Sequence, residues 1–140
     1  MQAIRPISVA LIYRGDEILV MAVRDDSGRI KGWRPPGGGI EFGESAEDAL
    51  TREILEELGQ SVVCDEQLCV LENIFQHEGA MGHEIVYVIQ AQFTQPSAYD
   101  AKRYCFIDGE VENEVIWRRT AEFLDGSESL FPDGLKNFLR

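Results

Sequence analysis

The stretch GGIEFGESAEDALTREILEELGQ, from Gly38 to Gln60, decides the fold of this chain. Ser45 begins a helix: its hydroxyl can accept from the first free amides, and Asp48, three residues on, gives a capping-box pattern. Ala46, Leu50, Ile54 and Leu58 then recur at four-residue steps with Ala49 beside them, which makes one buried stripe. Gly59 stands where a left-handed residue ends the helix. Glu53, Glu56 and Glu57 are three and four apart, so they share a face on a different arc from that stripe, and Glu44 approaches from the turn before. Unpaired, like charges at this spacing repel by roughly 0.2–0.5 kcal/mol per pair. The cluster therefore asks for a cation, and oxygen-only ligands favour Mg²⁺ or Mn²⁺.

Outward from the helix, the chain reads as strands. Ile4–Tyr13 and Ile18–Val23 are rich in β-branched residues around Arg14-Gly15-Asp16-Glu17, which predicts a hairpin. Asp25–Lys31 reads as a loop, and Pro35-Pro36-Gly37-Gly38-Gly39 as a rigid approach to a flexible, non-regular turn facing the ligand. Val62–Phe75 holds one strand or two short ones, Gly79–Gly82 a loop, and Glu84–Phe93 the clearest strand, buried on both faces. Gln95–Asp100 is a further loop, Glu114–Arg118 a short strand, and Pro132–Leu139 a closing helix. No internal repeat or linker interrupts the order. One domain over residues 1–140 is expected, of mixed α/β sandwich class.

Twenty-five acidic residues oppose thirteen basic ones, a net charge of −12. That balance argues against nucleic acid or an anionic membrane as partner. A small phosphorylated ligand remains compatible with it, because a bound metal inverts the local sign. Cys64, Cys69 and Cys105 are odd in number and lack paired spacing, so a reduced, cytoplasmic setting is the simplest reading; with His77 and His83 they are poorly spaced for zinc. No apolar run reaches the ~20 residues of a membrane span, and no export signal is expected.

The central stretch resembles the Nudix box, G-x5-E-x7-R-E-U-x-E-E-x-G-U with U aliphatic, through Gly38, Glu44, Arg52, Glu53, Ile54, Glu56, Glu57 and Gly59. Gln60 departs at the last, aliphatic position, outside the carboxylates. Trp33 and the Pro-Gly-Gly-Gly lead-in are also similar to family members. The box covers 23 of 140 residues, and the order of elements agrees along nearly the whole chain. The resemblance implies a Nudix-type α/β/α sandwich with a mixed sheet, and metal-dependent hydrolysis of a phosphoanhydride bond in a nucleoside diphosphate linked to another moiety. Such displacement needs charge neutralisation on phosphate oxygens and a positioned water more than covalent help.

By the same resemblance, Gly38 (through its carbonyl), Glu53, Glu56 and Glu57 would hold the metal. Arg52 would orient a glutamate, with Asp48 or Glu56 as competing partners, and Glu44 would support from outside or add a ligand. The general base is sought late in the chain, at Glu114, then Glu112, with Glu110 nearby and Glu53 as the option within the box. Arg24, Lys31 and Arg34 flank the box entry and could contact phosphates, against the plainer reading that exposed basic residues do nothing specific. Phe75, Tyr87, Trp33 and Trp117 could stack on a base, though aromatic residues in strands more often serve the core. His83 and His77 suit phosphate or metal, against the plainer reading as surface residues. The expected substrate-binding set is thus Arg34, Phe75 and His83.

A contrasting function is a non-catalytic Nudix-fold module that binds a nucleotide for regulation. Such modules generally lose box glutamates, and this chain keeps them. An RNA-decapping relative would carry a basic surface. The motifs of the coenzyme A, NADH, ADP-ribose and diadenosine polyphosphate branches are not found, so the substrate stays open, with nucleoside triphosphates among the options. Related proteins are often dimers, so a homodimer is one option, and the sequence itself does not fix the assembly.

Overall fold

The computed structural model describes residues 2–140; Met1, inside the expected 1–140 domain, lies outside the described residues. Among the described residues, nine strands and two α-helices follow one another: β1 (Ile4–Leu11), β2 (Tyr13–Arg14), β3 (Glu17–Arg24), β4 (Ile30–Arg34), β5 (Gly37–Gly39), α1 (Ala46–Leu58), β6 (Val62–His77), β7 (Ala80–Phe93), β8 (Arg103–Asp108), β9 (Val111–Arg119) and α2 (Thr120–Leu124). One sheet has the order β5-β1-β7-β6, with β1 and β7 parallel and the other pairs antiparallel. The other has the order β2-β3-β9-β8, with β4 also paired to β3.

Alternation along these strands sorts the core into two layers. Ala10, Ile12, Leu19, Met21, Ile89, Val115 and Trp117 join Leu50, Ile54 and Leu58 of α1. Ile7, Val9, Leu11, Ile18, Val20, Val86 and Val88 face the other way and pack on Phe123, Leu130 and Leu135. Sheet thus lies between α1 and the C-terminal segment, the three-layer α/β/α arrangement with mixed strands. Among the described residues no helix is long and apolar enough to cross a membrane.

Several expectations are corrected. The first hairpin is confined to Tyr13–Arg14 against Glu17–Ile18, because β1 turns away to pair with β5 and β7. Gly37–Gly39 is a strand after all: a β-carbon on Gly37 would stand 2.8 Å from the Val9 Cα, so only glycine permits the pairing with β1. Gly79–Gly82 is no loop; β6 and β7 form a long hairpin that turns at Glu78 and Gly79, both left-handed (φ 53° and 76°). β6 absorbs its polar middle with bulges at Cys64/Glu66 and Gln67/Cys69. Pro132–Leu139 forms only one 3₁₀ turn, Leu135–Phe138; just before it, Trp33 donates to the Ser129 carbonyl and accepts from the Phe131 amide, which lays residues 129–131 along β4.

Candidate active site

Local sequence sets the helix that carries the site. The Ser45 hydroxyl accepts from the Asp48 amide at 3.1 Å, and Gly59 (φ 68°) donates back to the Leu55 carbonyl at 3.0 Å. On α1, Arg52 is the hub. Its Nε and Nη2 donate to the two oxygens of Glu44 at 2.8 and 2.9 Å, and Nη2 also to the Gly39 carbonyl at 3.0 Å. Nη1 reaches Glu53 at 3.0 Å and, more loosely, Glu56 at 3.4 Å. Glu44, not one of the competing partners expected for Arg52, takes the guanidinium in two-point geometry, while Glu56 is held only loosely. The Arg52 bonds, followed by the Glu41 amide, hold the Glu44 carboxyl down to about 2. Glu44 in turn raises the guanidinium's affinity for its proton.

Glu53 lies flat against the bare backbone of Gly38: a β-carbon there would stand 2.6 and 2.7 Å from its two oxygens. Glu57 borders the apolar stripe rather than standing clear of it, since it is three residues from Ile54 and seven from Leu50. Burial, then the Glu53 charge, push its carboxyl up to about 8, and Arg34 opposes the shift. Its Oε1 is buried with no hydrogen-bond partner. Glu56 points outward, with 60% of its side chain exposed.

The three glutamates do not converge as fully as their spacing implied. Among the described residues, no three acidic, histidine or cysteine side chains form a ready-made metal cluster. Arg52 supplies the neutralising charge instead. The donor set nevertheless fits a hard divalent ion: a buried carboxylate oxygen without a partner, a second carboxylate crowded beside it, and a glycine backbone kept free of side chain. The three cysteines are free.

Other expected residues divide. Arg34 and Phe75 line one cavity of about 190 Å³. His83, next to Gly82 on β7, lines a neighbouring hollow with Arg5 and Met81 that Phe75 and Glu84 also border, so it lies beside Phe75 but outside the cavity that Phe75 shares with Arg34. Trp33 and Trp117 are core, capped by the guanidinium groups of Arg118 and Arg14. Glu114 is paired with Arg103 at 3.2 Å. Tyr104, Phe106 and Val115 of this hairpin pack toward α1, so Glu112 and Glu114 alternate to the opposite face, away from the box carboxylates. The acidic residue that β8–β9 does bring to α1 is Asp108, on the face of Tyr104 and Phe106, and its charge adds to the upward push on Glu57. Sequence reasoning missed it; the one signal was its place just before the Gly109-Glu110 turn.

These features define a class. The family model of the NUDIX domain matches residues 4–129, and the chain belongs to the NUDIX family. Among its relatives, nucleoside triphosphatase NudI of Escherichia coli O139:H28 is 43% identical over 63 residues, which is 44% of this chain and 45% of the relative. The NudI of Escherichia fergusonii is 45% identical over 60 residues, 42% and 43% of the two chains. The alignment thus spans less than half of these relatives' length. A MutT NUDIX hydrolase from Burkholderia pseudomallei superposes with a TM-score of 0.61 at 25% identity, covering 86% of each chain. The E. coli ORF135 protein superposes at 0.62 with 20% identity, over 99% of this chain and 87% of that one.

Proposed function

We propose that residues 1–140 act as one hydrolase domain that cleaves a phosphoanhydride bond of a small nucleotide, with Mg²⁺ or Mn²⁺ as cofactor. The observation that carries this reading is the partnerless, buried Oε1 of Glu57 beside Glu53 and the open backbone of Gly38. Glu57, Glu53, Glu56 and the Gly38 carbonyl would hold the ion. When bound, it neutralises phosphate oxygens and lowers the pKa of an attacking water.

The chain's own residues do the rest. Arg52 fixes Glu53 and, through Glu44, ties the glycine turn to α1. Glu53 accepts the proton of the water whose oxygen attacks phosphorus; the bridging P–O bond breaks, and the departing phosphate takes the electron pair. Arg34, which lines the cavity and feels the Glu57 charge, connects the nucleotide pocket to the carboxylates. Names among the relatives, a nucleoside triphosphatase and a MutT hydrolase, favour nucleoside triphosphates as the first class to try.

The test is a panel of nucleoside triphosphates, nucleotide sugars and dinucleotides with Mg²⁺ or Mn²⁺, products being separated by ion exchange, and a chelator control. Release of a nucleoside monophosphate that stops with chelator is expected. No cleavage of any compound would return the chain to the regulatory-module reading.

A further inference from the structure

The cavity of about 190 Å³ lies on the face of the sheet opposite α1, with Ile7 and Val9 of β1 among its lining residues. It is smaller than the roughly 300–1,000 Å³ that suits a whole drug-sized ligand, which fits a base better than an entire nucleotide. Two aromatic rings line it, and each rests on a glycine. A β-carbon on Gly82 would stand 2.6 Å from Cε2 of Phe75, and one on Gly32 would stand 2.9 Å from Cδ2 of Phe131. Neither ring could take its place if its glycine carried a side chain. Aromatic rings that line a cavity can stack on a planar base.

Beside Phe75, the register pairs Asn73 of β6 with Glu84 of β7, and both line the cavity. The Asn73 amide Nδ2 donates to Glu84 Oε1 at 3.3 Å. A carboxylate only accepts, so the contact fixes which way the carboxamide faces. One Asn73 N–H remains as a donor, next to two carboxylate oxygens with free lone pairs. The array reads donor, acceptor, acceptor.

We propose that this cavity is a guanine-selective base site, in which Glu84 takes the two adjacent N–H donors of the guanine edge and Asn73 donates to its carbonyl. Guanine presents acceptor, donor, donor along that edge. Cytosine and adenine each offer one amino group and then turn a ring-nitrogen lone pair toward the carboxylate. Uracil and thymine flank their single N–H with carbonyl oxygens, which the carboxylate repels. A good two-point pair of this kind discriminates by about ten- to a hundredfold. Arg34, on the cavity's β4 side, directs the phosphates toward Glu57. The inference rests on the reading of the chain as a nucleotide hydrolase, but its test does not depend on turnover.

Calorimetric titration with GMP, AMP, CMP and UMP, without metal, reads base preference directly. GMP is expected to bind about ten- to a hundredfold more tightly than the other three. Glu84→Gln exchanges an acceptor for a donor at a half-buried strand position, and should remove that preference while AMP affinity changes less than about threefold. Asn73→Leu should weaken GMP alone, by a smaller factor, and unchanged circular dichroism would show both variants folded. Equal affinity for the four monophosphates, no binding of any at millimolar concentration, or a preference that survives Glu84→Gln would each overturn the proposal. Selective GMP binding without cleavage of any triphosphate would sink the hydrolase reading and leave the base site standing. Cleavage of all four triphosphates at equal kcat/KM, with equal monophosphate binding, would do the reverse.

Discussion

Glu53 and Gly38 touch so closely that the glycine's missing β-carbon is what gives the carboxylate its place, with both oxygens within 2.7 Å of where that carbon would stand. Gly38 sits in a strand paired with Ser8, not in a left-handed turn. Its need for glycine is therefore a matter of space and not of backbone freedom. Gly38→Ala should swing the flexible end of Glu53 aside while the strand pairing survives. The expected result is a fall in kcat of about tenfold or more, equivalent to about 1.4 kcal/mol of transition-state stabilisation, with little change in melting temperature. Unaltered turnover would show that the position of Glu53 is immaterial.

Arg52→Lys tests the hub. Lysine offers a point charge and cannot make the two-point contact with Glu44 while holding the Gly39 carbonyl. In the native protein the Glu44 carboxyl is held down to about 2 against an ordinary 4.5. Its pairing therefore stabilises the fold fully above pH 4.5, and the contribution is lost as pH falls toward 2. In Arg52→Lys the acid limb of a stability-against-pH curve should move to higher pH, and activity should fall although the charge is kept. An acid limb that coincides with the native one would remove Arg52 from its place as the tie between turn and helix.

What was legible beforehand was what local sequence controls. Ser45, the Ala46-Leu50-Ile54-Leu58 stripe and Gly59 specify α1 without help from the rest of the chain, and the structure shows that helix with those ends. Gly37–Gly39 reads as irregular because its composition opposes a strand; it becomes one only because β1 arrives alongside. Asn73 and Glu84 are eleven residues apart and meet only through the β6–β7 register, which includes two bulges that no periodicity announces. Asp108 was one of twenty-five acidic residues until the β8–β9 pairing set which face it takes. Glu57 looked solvent-facing on the helical wheel, yet its neighbours on the stripe half bury it.

That burial has a pH signature. The Glu57 carboxyl is raised from 4.5 to about 8, so the fold favours its protonated form. The cost is absent below about pH 4.5, grows as pH rises, and is complete above about pH 8. The metal-free protein should lose stability across that window, on the order of 2–4 kcal/mol with solvent screening allowed for. Glu57→Gln should flatten the curve, be more stable than the native chain at pH 8.5, and lack hydrolase activity. Added Mg²⁺ or Mn²⁺ should raise the melting temperature of the native chain more at pH 8 than at pH 6, because ligand carboxylates must be ionised, and should do little for the variant. Urea unfolding at several pH values, with and without cation, checks each part. A native curve parallel to that of Glu57→Gln would refute the assignment.

The late acidic residue can be settled by a pair of variants. Asp108 shares the α1-facing side of the β8–β9 hairpin with Tyr104 and Phe106, and its charge reaches Glu57. Glu114 lies on the other face in a pair with Arg103. If the carboxylates around Glu57 cooperate in holding a cation, Asp108→Asn should raise the metal concentration needed for half-maximal activity by several-fold, about 1 kcal/mol, and should bring the Glu57 carboxyl partway back toward its ordinary value. Glu114→Gln removes only an exposed ion pair, worth about 0–1 kcal/mol, and should leave the metal titration and kcat near native. Neither substitution touches a buried apolar group, so both proteins should fold. A large loss in Glu114→Gln with none in Asp108→Asn would mean that the hairpin moves on substrate binding enough to bring its other face to the site.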